Sequence, residues 1–425
     1  MTPAHPAPPC APVYLDYNAT TPVDPRAAEA MLPYLTVHFG NPSSAHTYAN
    51  ASAQALHAAR EQVAELIGAT PDTIVFTGSG SEANNLAIRG SVLGARTTRP
   101  HVITQSTEHP AVLATCRALQ RLHGVNVTYL PVDRHGFVDP ADLAAAITPH
   151  TVLVSIMLAN NETGTIQPVT ELARTAHDRG VLFHTDAAQA AGKVPIDVAT
   201  FDADLLTVVG HKMYARKGIA ALYARSGLHL EPVIYGGGQE RGLRAGTENV
   251  AYATALGVAA KLAGADLAGG EPDRVRGLRD DLHRRLVDQL PGRVVLNGPA
   301  TRRLPNTANL ALLPHPGDAV LAVARGVAAS TGSACHTADP QPSPVLTAMA
   351  LDRERTRSAI RLSLGRWSTL DDVARATAQL VAAVTSLDRS GPRSGTRVLK
   401  KGLIREFRGF VGRAGVRRSG SRWRF

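Results

Sequence analysis

The chain has 425 residues, 44% of them hydrophobic, and a formal net charge of +10, a composition that points to a globular protein with a large buried core. Its three cysteines, Cys10, Cys116 and Cys335, lie far apart, which excludes a disulfide framework and a thiolate zinc site, fits a reducing compartment and leaves no metal site expected. The charge is less informative than it looks, because residues 389–425 hold twelve Lys/Arg and one acid, Glu406, and the rest of the chain is close to neutral.

In chain order, residues 1–12 form a Pro- and Ala-rich arm without the basic and apolar regions of a secretory signal. No uninterrupted apolar run approaches the roughly 18 residues of a membrane helix. A cytoplasmic protein with no membrane partner is the expectation. Between 70 and 225 apolar runs predict strands at Thr73–Thr77, His101–Ser106, Asn126–Val132, Thr151–Asn160, Val181–Asp186, Leu205–Val209 and Ile219–Ala224. Helical patterns at Ser81–Val92, Ala111–His123 and Pro168–Arg179 separate some of them, so the fold class is α/β, a mainly parallel seven-stranded sheet covered on both faces. Ligands on such sheets sit beyond the strands' C-terminal ends. A charged helix at Arg274–Leu290, strands near Val294–Asn297, Asn306–Leu313 and Ile360–Leu364, and an amphipathic helix at Thr369–Leu387 predict a smaller α/β C-terminal domain. The expected domains are 13–256, with the segment near 13–24 a candidate to pack on the smaller unit, then 257–388. A basic Gly/Ser-rich tail, 389–425, follows, and a solvated tail is preferred there to a nucleic-acid or membrane-surface binder.

Five segments carry chemistry. Thr77-Gly78-Ser79-Gly80-Ser81-Glu82, at a strand-to-helix junction, suits an anion, since glycines admit a close approach and helix-start N–H groups bind it. Taken alone it is equally an ordinary turn. His109 in Ser106-Thr107-Glu108-His109-Pro110 is placed to stack on a ring and move a proton, although a lone histidine is more often structural. Asn160-Asn161-Glu162-Thr163-Gly164 offers amides at a strand end or a simple turn. The fourth segment pairs Asp186, at the end of one strand, with Lys212 of Gly210-His211-Lys212 after another, twenty-six residues later. Such a lysine and aspartate suit pyridoxal phosphate: the amine forms a Schiff base and the carboxylate keeps the pyridine nitrogen protonated. Lastly, Ser330-Thr331-Gly332-Ser333-Ala334-Cys335-His336 sets one cysteine among small polar residues, the setting of a reactive thiol or of an exposed bystander. Cys10 and Cys116 are read as structural.

Together with Asp16-Tyr17-Asn18-Ala19-Thr20, Gly40-Asn41-Pro42 and Leu362-Ser363-Leu364-Gly365-Arg366, these motifs resemble the cysteine desulfurases and selenocysteine lyases of the class V aminotransferase group, which have the fold type I of pyridoxal phosphate enzymes. The resemblance covers most of the chain before the tail. It implies that Lys212 is the Schiff-base lysine, that Asp186 pairs the pyridinium, that Gln189 and Asn161 contact the ring oxygen and that His109 stacks on the ring. Gly80, Ser81 and His211 would hold the phosphate, joined by Thr247 from the partner of a homodimer, while Arg361 and Asn161 would bind the substrate. Cys335 would accept sulfur as a persulfide for delivery to an acceptor such as an iron–sulfur scaffold protein. Three departures matter: Val209 stands where desulfurases usually carry serine, Pro110 follows His109, and Ala215-Arg216 replaces a Gly-Pro. L-Cysteine is placed before L-selenocysteine as the substrate. An enzyme of the same fold that uses no thiol stays open behind both.

Overall fold

The computed structural model describes residues 11–332 and 342–390. Its strands in chain order are β1 (Val13–Tyr14), β2 (Ile74–Thr77), β3 (His101–Gln105), β4 (Asn126–Leu130), β5 (Thr151–Ser155), β6 (Leu182–Asp186), β7 (Leu205–Val209), β8 (Ala220–Ala224), β9 (Val294–Asn297), β10 (Thr307–Leu312), β11 (Val327–Ala328) and β12 (Ala359–Ser363). Seven of them form one sheet in the order β2-β8-β7-β6-β5-β3-β4, parallel except that β8 runs against both its neighbours. All seven predicted strands are there, most of them a residue or more shorter at an end.

The sheet is buried on both faces because both phases of its side-chain alternation are apolar. Val75, Val102, Leu153, Leu205 and Leu222 meet the helices Gly80–Gly94 and Pro110–His123 on one side. On the other, Phe76, Ile103, Val154, Leu206 and Val208 meet the helices Asn50–Leu66, Val169–His177 and Val250–Ala268. The last of these is long and apolar enough by composition to cross a membrane. Nine of its residues, Val250 to Ala263, are instead buried in the protein. Cys116 is fully buried on the first face, where burial pushes its thiol up to about 12 and removes it from thiolate chemistry.

A second sheet, β12-β10-β9, is antiparallel and carries the helices Glu271–Gln289 and Leu370–Ser390. The N-terminal segment joins it from afar. β1 pairs in parallel with β11, Leu15 enters the same apolar cluster, and the Asn18 backbone N–H donates to Ser363 Oγ at 3.0 Å. From there the chain crosses to the large sheet, where Arg366 clasps Asp24 at 2.5 Å and Asp266 at 2.5 Å while stacking 4.2 Å above the Tyr214 ring.

At the opposite end of the strands from the site, His177 lies between Asp202 and Asp204 at 2.7 Å each. Burial lowers its pKa, but the hydrogen bonds from Asp204 and Asp202 overcome this and leave it raised. The imidazolium therefore stabilises the fold fully below about pH 6.5, and that contribution disappears as the pH climbs past the raised value. Comparing urea midpoints of the wild type and His177→Gln should give a gap of at most about 1 kcal/mol near pH 6, given the half-exposed Asp202. By pH 9 the gap should have closed, and a gap that is constant with pH would contradict the assignment.

Candidate functional site

The helix Gly80–Gly94 starts where β2 ends, and Ser79 caps it by accepting from the Glu82 N–H at 3.1 Å. Glu82 reaches back to the Gly78 N–H at 2.8 Å and is held by Arg244 at 2.8 Å, so the turn is fixed from both sides. Among the described residues no hydrogen bond uses the N–H groups of Gly80 and Ser81, which leaves them for an anion. Gly80 is obligatory for a steric reason: a Cβ there would lie 2.5 Å from Val209 Cγ2.

One turn into that helix, Asn84 points into the sheet and donates to Asp186 Oδ2 at 2.7 Å, while the Ala188 N–H donates to Oδ1 at 2.9 Å. Asp186, at the end of β6, is thereby held rigidly with 6% exposure. Lys212 closes the short turn Gly210–Lys212 after β7 and donates to the carbonyls of Asn18 at 2.8 Å and Ala19 at 2.7 Å. Burial, helped by Arg361 and opposed by Asp186 and Asp16, brings its amine down to about 8. Gln189 donates to the same Asn18 carbonyl at 2.9 Å. A buried carboxylate with one donor on each oxygen and capacity left for another, near a lysine with a depressed pKa and beside a glycine-built helix start, fits pyridoxal phosphate.

His109 caps the helix Pro110–His123, its Nδ1 accepting from the Ala111 N–H at 3.1 Å. The ring is open to solvent, yet the protein packed around it and nearby Lys212 lower its pKa, against Asp186. In the neutral ring the proton therefore sits on Nε2. His211 contacts Thr20 Oγ1 at 3.2 Å and is pushed down to about 4, first by burial and then by Lys212.

Arg361, on β12, reaches across with Nη1 to the Asn161 carbonyl at 3.1 Å and Nη2 to Asp16 at 2.7 Å. Among the described residues its buried Nε has no partner, so the guanidinium retains a donor for a carboxylate. Asn161 thus enters the site by its backbone carbonyl, which also accepts from Asn18. Asn160 builds the turn, its Oδ1 accepting from the N–H groups of Glu162 and Thr163. Thr247 is exposed on the loop before the helix Val250–Ala268 and joins none of these groups within the chain. Cys335 lies outside the described residues, but both flanks of its segment meet one side chain. Ser343 donates to Glu162 Oε2 at 2.5 Å, and a Cβ at Gly332 would lie 2.5 Å from that oxygen.

Sequence reasoning singled out Lys212, Asp186, Gln189, Asn161, Arg361, His109 and His211, and the structure gathers them around the C-terminal ends of β3, β5, β6 and β7. It overlooked Asn84 and the Asn18 carbonyl. The signal for Asn84 was a polar residue on the buried stripe of an otherwise apolar helix, between Ala83 and Ala87.

The family model of class-V aminotransferases matches residues 13–376. The chain belongs to this family. A cysteine desulfurase of Trichormus azollae is 45% identical over 380 residues, covering 88% of this chain and 94% of its own. Among solved structures, a NifS-like protein superposes with a TM-score of 0.82 at 33% identity, covering 88% of this chain and 100% of its own. SspA in complex with cysteine gives a TM-score of 0.74 at 36% identity over 84% of this chain and 99% of its own. Class-V membership implies pyridoxal phosphate, in keeping with the chemistry of Asp186 and Lys212.

Proposed function

We propose that this protein is a cysteine desulfurase that uses pyridoxal phosphate, converts L-cysteine to L-alanine and passes the sulfur to Cys335 as a persulfide. The observation that carries this reading is the meeting of Lys212, the Asn84-held Asp186 and Arg361, whose charges act on one another at the ends of the strands. When bound, pyridoxal phosphate supplies an electron sink for the electrons left when the Cα proton departs. Lys212 anchors it and, with a pKa of about 8, is able to take and return a proton near neutral pH. Asp186 keeps the ring nitrogen protonated, Gln189 faces the ring oxygen, and Gly80, Ser81 and His211 hold the phosphate. Arg361 takes the substrate carboxylate in exchange for Asp16, and Asn161 flanks it. His109 would pack on the ring, and with its Nδ1 occupied by the Ala111 N–H it would share proton transfer through Nε2.

The Cys335 thiolate attacks the substrate sulfur. An S–S bond forms, the C–S bond breaks, both sulfurs are oxidised by one unit, and the electron pair left on carbon takes a proton to give alanine. We place the protein in the cytoplasm as a homodimer, with Thr247 entering the partner's phosphate site and an iron–sulfur scaffold as the acceptor. The larger unit extends through the helix Val250–Ala268, which packs on the large sheet, and the smaller follows it to residue 388.

The test is an absorption spectrum of the loaded enzyme with L-cysteine, coupled to product analysis. A visible band that changes on mixing, with one alanine per protein-bound sulfane sulfur, is expected; turnover without sulfur on the protein would overturn the reading. One observation favours a selenocysteine lyase instead: the apolar Val209 packed on the phosphate turn where desulfurases carry a hydroxyl. Kinetics on both amino acids decide, since selenide release that dwarfs sulfur transfer selects the lyase.

The close approach at Gly80 gives a second expectation. Gly80→Ala should displace the helix start and weaken pyridoxal phosphate binding by about tenfold or more, in line with roughly 1–3 kcal/mol for overpacking. Pyridoxal, lacking the phosphate, should lose little. Adding Val209→Ala should restore most of the affinity, which fluorescence titration measures directly.

A further inference from the structure

A second lysine lies behind the first. Lys193 follows Gly192, whose φ of +72° and approach to Ala263 (2.9 Å from a Cβ built there) press this turn against the helix Val250–Ala268. The turn leads the Lys193 side chain back, where Nζ donates to the Gln189 carbonyl at 2.9 Å and to Gln189 Oε1 at 3.2 Å. Partly buried, it also faces two other cations, Lys212 and Arg361, and with burial these bring it down to about 7. A cation in so unfavourable a place invites a reason.

The reason lies in the amide between the two lysines. A carboxamide presents an acceptor at one end and two donors at the other, and its two flips are nearly isosteric. Donating to Oε1, the Lys193 amine holds that oxygen on its own side and turns Nε2 to the opposite side. There one N–H of Nε2 goes to the Asn18 carbonyl at 2.9 Å, the same oxygen that accepts from Lys212 at 2.8 Å. The other N–H remains for whatever Lys212 carries. We propose that Lys193 is a positioning residue for the cofactor, locking the Gln189 amide so that a donor, and not an acceptor, meets the anionic ring oxygen. This rests on the pyridoxal phosphate reading above and adds to it the residue that orients the ring contact.

The experiment titrates the visible band of the loaded enzyme with pH. A donor to the ring oxygen, like a nearby cation, lowers the pKa of the Lys212–cofactor linkage, so losing it raises the midpoint. The other titratable and charged groups facing that linkage are Asp186, Asp16, Arg361, His109 and His211, which all variants keep. Lys193→Met should move the midpoint up by about one pH unit, on the scale of 1.36 kcal/mol per unit, and Lys193→Arg, which still donates, should return most of it. The deciding step repeats Lys193→Met in a Gln189→Ala background. No further shift is expected there, because the lysine acts through the amide. An equal shift in both backgrounds means a through-space charge effect and overturns the proposal, as does no shift in either. If Lys193→Met does not fold, Lys193→Leu removes the charge and the donor alike and is read in the same way. A loaded wild type without any visible band would overturn the cofactor reading itself, and this proposal with it. A wild-type band with an unmoved variant overturns only the proposal.

Discussion

Cys335→Ser should abolish cysteine turnover, by roughly a thousandfold or more, while leaving the visible band and its response to L-cysteine intact. The split follows from the division of labour. In the proposed reaction, binding and Cα proton removal depend on Lys212, Asp186 and Arg361, none of which belongs to the 333–341 segment, whereas C–S cleavage requires a thiolate to take the sulfur. Serine has neither the polarisability nor the accessible anion for it. Cys116 offers no substitute, because it is fully buried in the helix Pro110–His123 with its thiol pushed up to about 12. Mass spectrometry after one turnover should find an added 32 Da on wild type and none on the variant. Unchanged alanine formation in Cys335→Ser would instead select an enzyme of this family that uses no thiol.

The second large effect concerns Lys212 and has two readouts of opposite sign. Lys212→Met should eliminate the visible band and turnover, again by roughly a thousandfold or more. The cofactor-free variant should nevertheless be more stable than the cofactor-free wild type. Its amine is held at about 8, below the ordinary 10.5, first by burial. Folding therefore works against a charged Lys212 at every pH below about 8, and the penalty fades between 8 and 10.5 as the unfolded chain loses the same proton. A stability gain of about 2 kcal/mol near pH 7 that shrinks by pH 10 is the expected result, measured by denaturant midpoints on apo protein. A variant less stable than wild type at pH 7 would show that the carbonyls of Asn18 and Ala19 outweigh the desolvation.

The large sheet was legible because its strands are short apolar runs bounded by turn residues, and Lys212 and Asp186 because both stand at strand ends. The parts that were not legible share a cause. Asp16 with Arg361, Asn18 with Lys212, and Asn84 with Asp186 are pairs separated by 345, 194 and 102 residues. No periodicity encodes such a pairing, and each partner taken alone is an ordinary polar residue. Arg361 is instructive: the sequence suggested a substrate-binding arginine, but its neighbour Asp16, quoted only as part of a motif, turns out to occupy it. Val209 is the converse. It stood out in the sequence as a missing hydroxyl, and in the fold it is the wall against which only glycine fits at position 80.

The route of the N-terminal segment also dictates when the enzyme matures. β1 precedes the large sheet in the chain, yet it pairs with Val327–Ala328, and Asn18, whose carbonyl receives Lys212, is fastened to Thr307, Asn306 and Ser363. A nascent chain that has completed all seven strands of the large sheet already offers Asn161, Gln189 and Lys212 to Asn18, but it still lacks Thr307, Asn306 and Ser363, which fasten Asn18 from the other side. Domains assemble as their parts emerge, so Asn18 reaches its final seat only once the second sheet, through Ser363, has been made.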